Sequence, residues 1–175
     1  MITISDEGRL EANEDCTLCL LGKFLTCKFF NKRAAKNTMR RAWGLEDNLR
    51  ITNVGPNLFQ FKVTSEFDLN RILRGVLWSF DNKLLLLKHW KKGMTVENIR
   101  MEMATLWVQF WGAPLDMFSP QVAKEVGSRL GAVEEVEQRR GPDELHYFMR
   151  VRVALPISKP IHKGSFIAGS DGERH

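Results

Sequence analysis

The stretch Val76–Trp90, VLWSFDNKLLLLKHW, limits what this chain can fold into more than any other. Asp81-Asn82 tolerates the positive φ angles of a tight turn, and apolar runs flank it on both sides, so the stretch reads as a β-hairpin. Its second arm, opened by Lys83, is nearly all leucine. That pattern predicts a strand covered on both faces, with the second half of the chain as the expected cover. Upstream, Leu58–Val63 predicts another strand and Ser65–Gly75 a helix.

Further upstream, Cys16–Leu21 reads as a first strand stopped by Gly22-Lys23. Asn31 is a good helix N-cap, and Lys32–Trp43 runs without a breaker to Gly44, a natural residue for the position just past a helix end. Ala35, Met39, Ala42 and Trp43 share one face of that helix, while Lys32, Lys36 and Arg40 share another, with Arg33 and Arg41 beside them. Leu49–Val54 is a second strand, followed by a Gly55-Pro56-Asn57 turn. Residues 16–90 therefore follow a β-α-β-β-α-β order, which is ferredoxin-like or RNA-recognition-motif-like. After a polar connector, Leu106–Trp111 reads as an aromatic strand and Ser119-Pro120 as a helix start. Val122, Val126 and Leu130 repeat along that helix to Gly131. Ala132–Gln138 is an acidic strand, Arg139–Asp143 a turn and His146–Leu155 a last strand. In that strand Met149, Val151, Val153 and Leu155 point one way and Phe148, Arg150 and Arg152 the other.

The expected class is α+β, a ferredoxin-like sheet followed by a partial β-α-β-β unit. The domains are read as 15–92, a connector 93–104, a second subdomain 105–167 and a disordered tail 168–175. The chain has 175 residues with 43% apolar and 27% charged side chains, which suits a folded core and argues against disorder. No apolar run reaches the ~20 residues that span a bilayer. The acidic start lacks the basic-then-apolar order of a secretory signal, so a nuclear or cytoplasmic setting is expected.

Gly22-Lys23-Phe24-Leu25, Trp43, Leu58-Phe59-Gln60-Phe61, Trp78-Ser79-Phe80-Asp81-Asn82-Lys83 with its leucines, and Trp90 are similar to the plant "domain of unknown function 4283". Trp107-Val108-Gln109 and Gly112-Ala113-Pro114-Leu115 extend the resemblance over roughly residues 15–165. That family occurs in proteins related to the first open reading frame of LINE-type retrotransposons. A zinc knuckle of Cys-x2-Cys-x4-His-x4-Cys type commonly follows, and this implies nucleic-acid binding. The cysteines here are all N-terminal, so that knuckle has no counterpart among these residues.

Charge supports the same partner class independently. The net charge is +5, and the positive residues cluster at 22–50 and again at Lys83, Lys88, Lys91 and Lys92. Such clustering suits a polyanion, although a solvated helix face has the same composition. Two surfaces are candidates: the helix face with Lys32, Arg33, Lys36, Arg40 and Arg41, and the strand face with Phe148, Arg150 and Arg152. Trp107 and Trp111 add stacking surface to the second if they are exposed. Alternation along Leu58–Val63 buries Phe59 and Phe61 and leaves Gln60 and Lys62 outward, so that strand offers a polar face with Lys62 as a further cation rather than a stacking platform.

Cys16-x-x-Cys19 lies at odd spacing in the expected strand, which sends the two thiols to opposite faces and argues for free cysteines. Glu134, Glu135 and Glu137 read as a charged strand edge. There is no cofactor, metal or catalytic signature, so the chain is expected not to be an enzyme. The expected partner is RNA or single-stranded DNA, bound mainly through phosphates, with no membrane role. The competing reading is a protein-association module, because the incomplete second half leaves a strand edge open to self-association.

Overall fold

Both residues of the Asp81-Asn82 turn hold positive φ, 49° and 58°, so the expected tight hairpin forms. It joins β4 (Trp78–Phe80) to β5 (Lys83–His89), and Leu85 and Leu86 are both buried on β5 although they point to opposite faces. The computed structural model describes residues 16–75, 77–137, 148–161 and 164. The turn read at 139–143 and the tail from 168 lie outside these. The chain divides into two units, Met1–Met101 and Glu102–His175.

The first unit holds β1 (Cys19–Phe24), α1 (Lys32–Trp43), β2 (Arg50–Gly55), β3 (Leu58–Lys62), α2 (Glu66–Arg74), β4 and β5. Its strands pair antiparallel in the order β2-β3-β1-β5-β4. The first four reproduce the order of a ferredoxin-like β-α-β-β-α-β sheet, with β4 added at the edge as a short hairpin arm. Asn31 caps α1 by accepting from the Ala34 amide, and Gly44 closes it in the left-handed region at φ 66°. Leu20, Phe24, Phe59, Phe61 and Leu85 form the sheet side of the core, against Ala35, Met39 and Trp43 from α1 and Leu69 and Ile72 from α2. β1 starts three residues later than expected and runs through Gly22-Lys23, because Gly22 sits opposite Phe59 and Leu87 inside the sheet.

The opposite face of this sheet is also covered. Leu21, Leu58 and Leu86 point away from the helices and are buried. The connector lies against the rim of that face. Val96 approaches to 3.0 Å of where a Cβ on Gly55 would stand, and Lys88 donates to the Arg100 carbonyl at 3.2 Å.

The second unit holds β6 (Met103–Trp111), α3 (Pro120–Leu130), β7 (Ala132–Val136) and β8 (Phe148–Pro156). Its strands pair antiparallel in the order β6-β8-β7, which is the first three strands of the same motif with β8 in the centre. Ser119 caps α3, and Pro120 occupies the first turn as expected. Val151, Val153 and Leu155 form the buried centre, with Leu106, Val108, Phe110, Leu130, Val133 and Val136 packed around them. Glycine at 127 lets α3 approach β8 closely, since a Cβ there would lie 3.1 Å from Val133 and Val151.

Candidate nucleic-acid interface

Residues facing each other across an antiparallel pair share a face, so the register of β6 and β8 defines a surface directly. Trp107 lies opposite Arg152, Gln109 opposite Arg150 and Trp111 opposite Phe148. All six stand on the side away from the Val151–Val153 core. The expected split of β8 is therefore present, with Met149, Val151, Val153 and Leu155 buried and Phe148, Arg150 and Arg152 on the outer face.

The rings and guanidinium groups on this face touch. The Trp111 and Phe148 rings are 4.7 Å apart and tilted by 34°, and the Arg150 guanidinium lies 4.7 Å from the Trp107 ring centre. Trp111 is 64% exposed, so the aromatic end of the face is open to solvent. The arginines are less available. Arg152 Nε lies 3.4 Å from Glu134, with its side chain only 11% exposed, and Arg150 donates to Glu137 at 3.3 Å.

The acidic residues thus do more than decorate an edge. A register shift between Val133 and Glu135 leaves Val133 and Val136 on the core side and brings both intervening glutamates to the outer face. Glu134 then reaches Arg152 and also accepts from the Thr105 hydroxyl at 3.2 Å. Nothing in the alternation of β7 announces this, because the shift depends on pairing with β8.

On the first unit, Lys32, Arg33 and Arg41 are exposed on α1, while Lys36 and Arg40 are half-buried. Lys36 Nζ sits 5.9 Å over the Phe59 ring, and Arg40 donates to Asn37. Among the described residues no carboxylate pairs with these five, so α1 is a cationic surface with no acidic side chain in its first turn. Lys62 lies outward and half-buried beside Gln60 on β3, and Phe59 and Phe61 are buried at 1% exposure each, as alternation predicts.

The cysteine pair differs from expectation. β1 begins at Cys19, and Cys16 is a helical residue separated from it by a turn at Thr17-Leu18, so the thiols converge instead of diverging. Gln60 Nε2 donates to both sulfurs, at 3.7 and 3.5 Å. Burial, and then the neighbouring Cys16, push the Cys19 thiol up to about 11, so it stays protonated at neutral pH. Among the described residues no three His, Cys, Asp or Glu side chains group as metal ligands, and no helix is long and apolar enough to cross a membrane.

The first unit is a ferredoxin-like α+β domain, and the second is three strands and one helix of the same plan. Residues 12–98 match the family model "Domain of unknown function (DUF4283)", the family that the motifs of the first unit resemble. The match stops before β6, so Trp107-Val108-Gln109 and Gly112–Leu115 lie outside it. No curated protein sequence matches the chain. Among solved structures, the chain is similar to the crystal structure of the N-terminal three RNA-binding domains of the yeast splicing factor Prp24. That likeness has 12% identity and a TM-score of 0.32, and covers 85% of this chain and 66% of the other.

Proposed function

We propose that this chain is a non-catalytic module that binds single-stranded nucleic acid, RNA or DNA. The observation that carries this reading is the outer face of the second sheet, where Trp107, Trp111 and Phe148 are held beside Arg150. Unpaired bases stack on such rings whatever their sequence, and every base has a π-face to offer. On the first unit, α1 supplies cations that have no carboxylate partner among the described residues and can serve phosphates. Arg150 and Arg152 already have carboxylate partners, and Arg150 packs on the Trp107 ring, so α1 carries the phosphate contacts. The likeness to a family found in LINE-related proteins supports a mobile-element ancestry, in a nuclear or cytoplasmic setting.

The test is fluorescence anisotropy with labelled single-stranded RNA, single-stranded DNA and duplex at low salt. Binding to single strands is expected, weakened about tenfold by Trp111→Ala, in line with stacking worth ~1–3 kcal/mol per base. Arg150→Ala/Arg152→Ala is expected to weaken it as well, by freeing the Trp107 ring and leaving Glu134 and Glu137 uncompensated. Absence of binding to every probe, or a Trp111→Ala protein that binds as well as wild type, overturns the reading.

A further inference from the structure

We infer that the free edge of β6 is a self-association surface, and that it takes β6 of a second copy in antiparallel pairing centred on Trp107. Among the described residues no strand pairs with the outer side of β6, which sits at the end of the β6-β8-β7 order. Its outward backbone groups make no hydrogen bond to any described segment. The strand is nine residues long, MATLWVQFW, with no charge and no proline. Edges that stay single usually carry one or the other.

The choice of a second copy over another partner comes from the strand's own order. A two-fold axis at Trp107 sets Met103 opposite Trp111, Thr105 opposite Gln109, and Trp107 opposite itself on the outer face. On the other face it sets Ala104 opposite Phe110 and Leu106 opposite Val108. Every pair is matched: polar with polar, the small Ala104 with the large Phe110, and no charge faces another. Met103 and Trp111, the exposed large apolar residues of this strand at 46% and 64%, cover each other at both ends. A charged or polar peptide would find no such complement along this edge.

The helix leaves room for it. α3 packs mainly on β7 and β8, so Leu106, Val108 and Phe110 on the helix side of β6 remain only half-buried. Pairing extends the sheet to six strands, gives those residues neighbours from the second copy, and lays two aromatic faces side by side. This inference does not depend on nucleic-acid binding.

Sedimentation velocity on nuclease-treated full-length chain, from micromolar to hundreds of micromolar, tests it. Wild type is expected to form a concentration-dependent dimer. Thr105→Lys/Gln109→Lys sets lysine opposite lysine twice, and is expected to weaken the dimer about tenfold or more. Thr105→Lys/Gln109→Glu sets lysine opposite glutamate twice, and is expected to keep it. Circular dichroism checks the fold of each variant. A wild-type monomer throughout, or equal association by the two variants, overturns the proposal. Should the double-lysine protein unfold, a monomeric Lys/Glu variant overturns it and a dimeric one supports it.

Discussion

Gly22 shows how closely the first unit is packed at single residues. A Cβ on it would stand 2.5 Å from Phe61 Cε2 and 3.1–3.2 Å from Leu85 and Leu87, all from strands remote in sequence. Gly22→Ala is expected to cost about 1–3 kcal/mol through overpacking, read as a lower urea midpoint with an unchanged slope. In the sequence this glycine looks like the end of a strand, because the side chains that crowd it arrive only when β3 and β5 pair with β1. The inward Phe59 and Phe61 were legible for the opposite reason: alternation alone decides which side of a strand is wet. The Cys16–Cys19 pair was misplaced by its dependence on where β1 begins, since a shift of the start from 16 to 19 turns opposed thiols into neighbours.

Among elements, the caps were the most readable, and α2 makes one testable. Ser65 Oγ accepts from the Asp68 amide while its hydroxyl donates to the Asp68 carboxylate, which also accepts from Arg71 at 2.9 Å. The Ser65 hydroxyl first, and Arg71 second, hold the Asp68 pKa below its usual 3.8. Stability from this cluster is therefore present above about pH 4 and is lost as pH falls through the lowered folded value. Asp68→Asn is expected to lose less stability than wild type on acidification below pH ~4, in urea titrations run across that range. The hairpin, the amphipathic α1 and the proline-started α3 were equally legible, because each is coded by neighbours within a few residues. The bulge of β7 was not, and with it went the role of the glutamates. Its register belongs to the partner strand, so half of the candidate face could be named from β8 while its electrostatic balance could not.

Across the whole molecule the two candidate surfaces divide the work differently than net charge suggests. The cations of α1 lack carboxylate partners among the described residues, whereas those of β8 are matched by Glu134 and Glu137. Salt should separate the two contributions. Lys32→Ala/Arg33→Ala/Arg41→Ala is expected to flatten the logarithmic salt dependence of single-strand binding by up to roughly two, at about 0.7 per phosphate. Trp111→Ala is expected to lower affinity and leave that slope unchanged, measured by anisotropy over a potassium chloride series. The uneven depth of the tryptophans then has an optical consequence. Trp43 is sealed at 2% exposure while Trp111 stands open on the outer face of β6. An indole in the core emits further to the blue and is shielded from iodide, and an indole in water emits to the red and is readily quenched. The protein therefore carries its own dye on the face where bases are proposed to stack, and occupancy there registers in its intrinsic emission without any label.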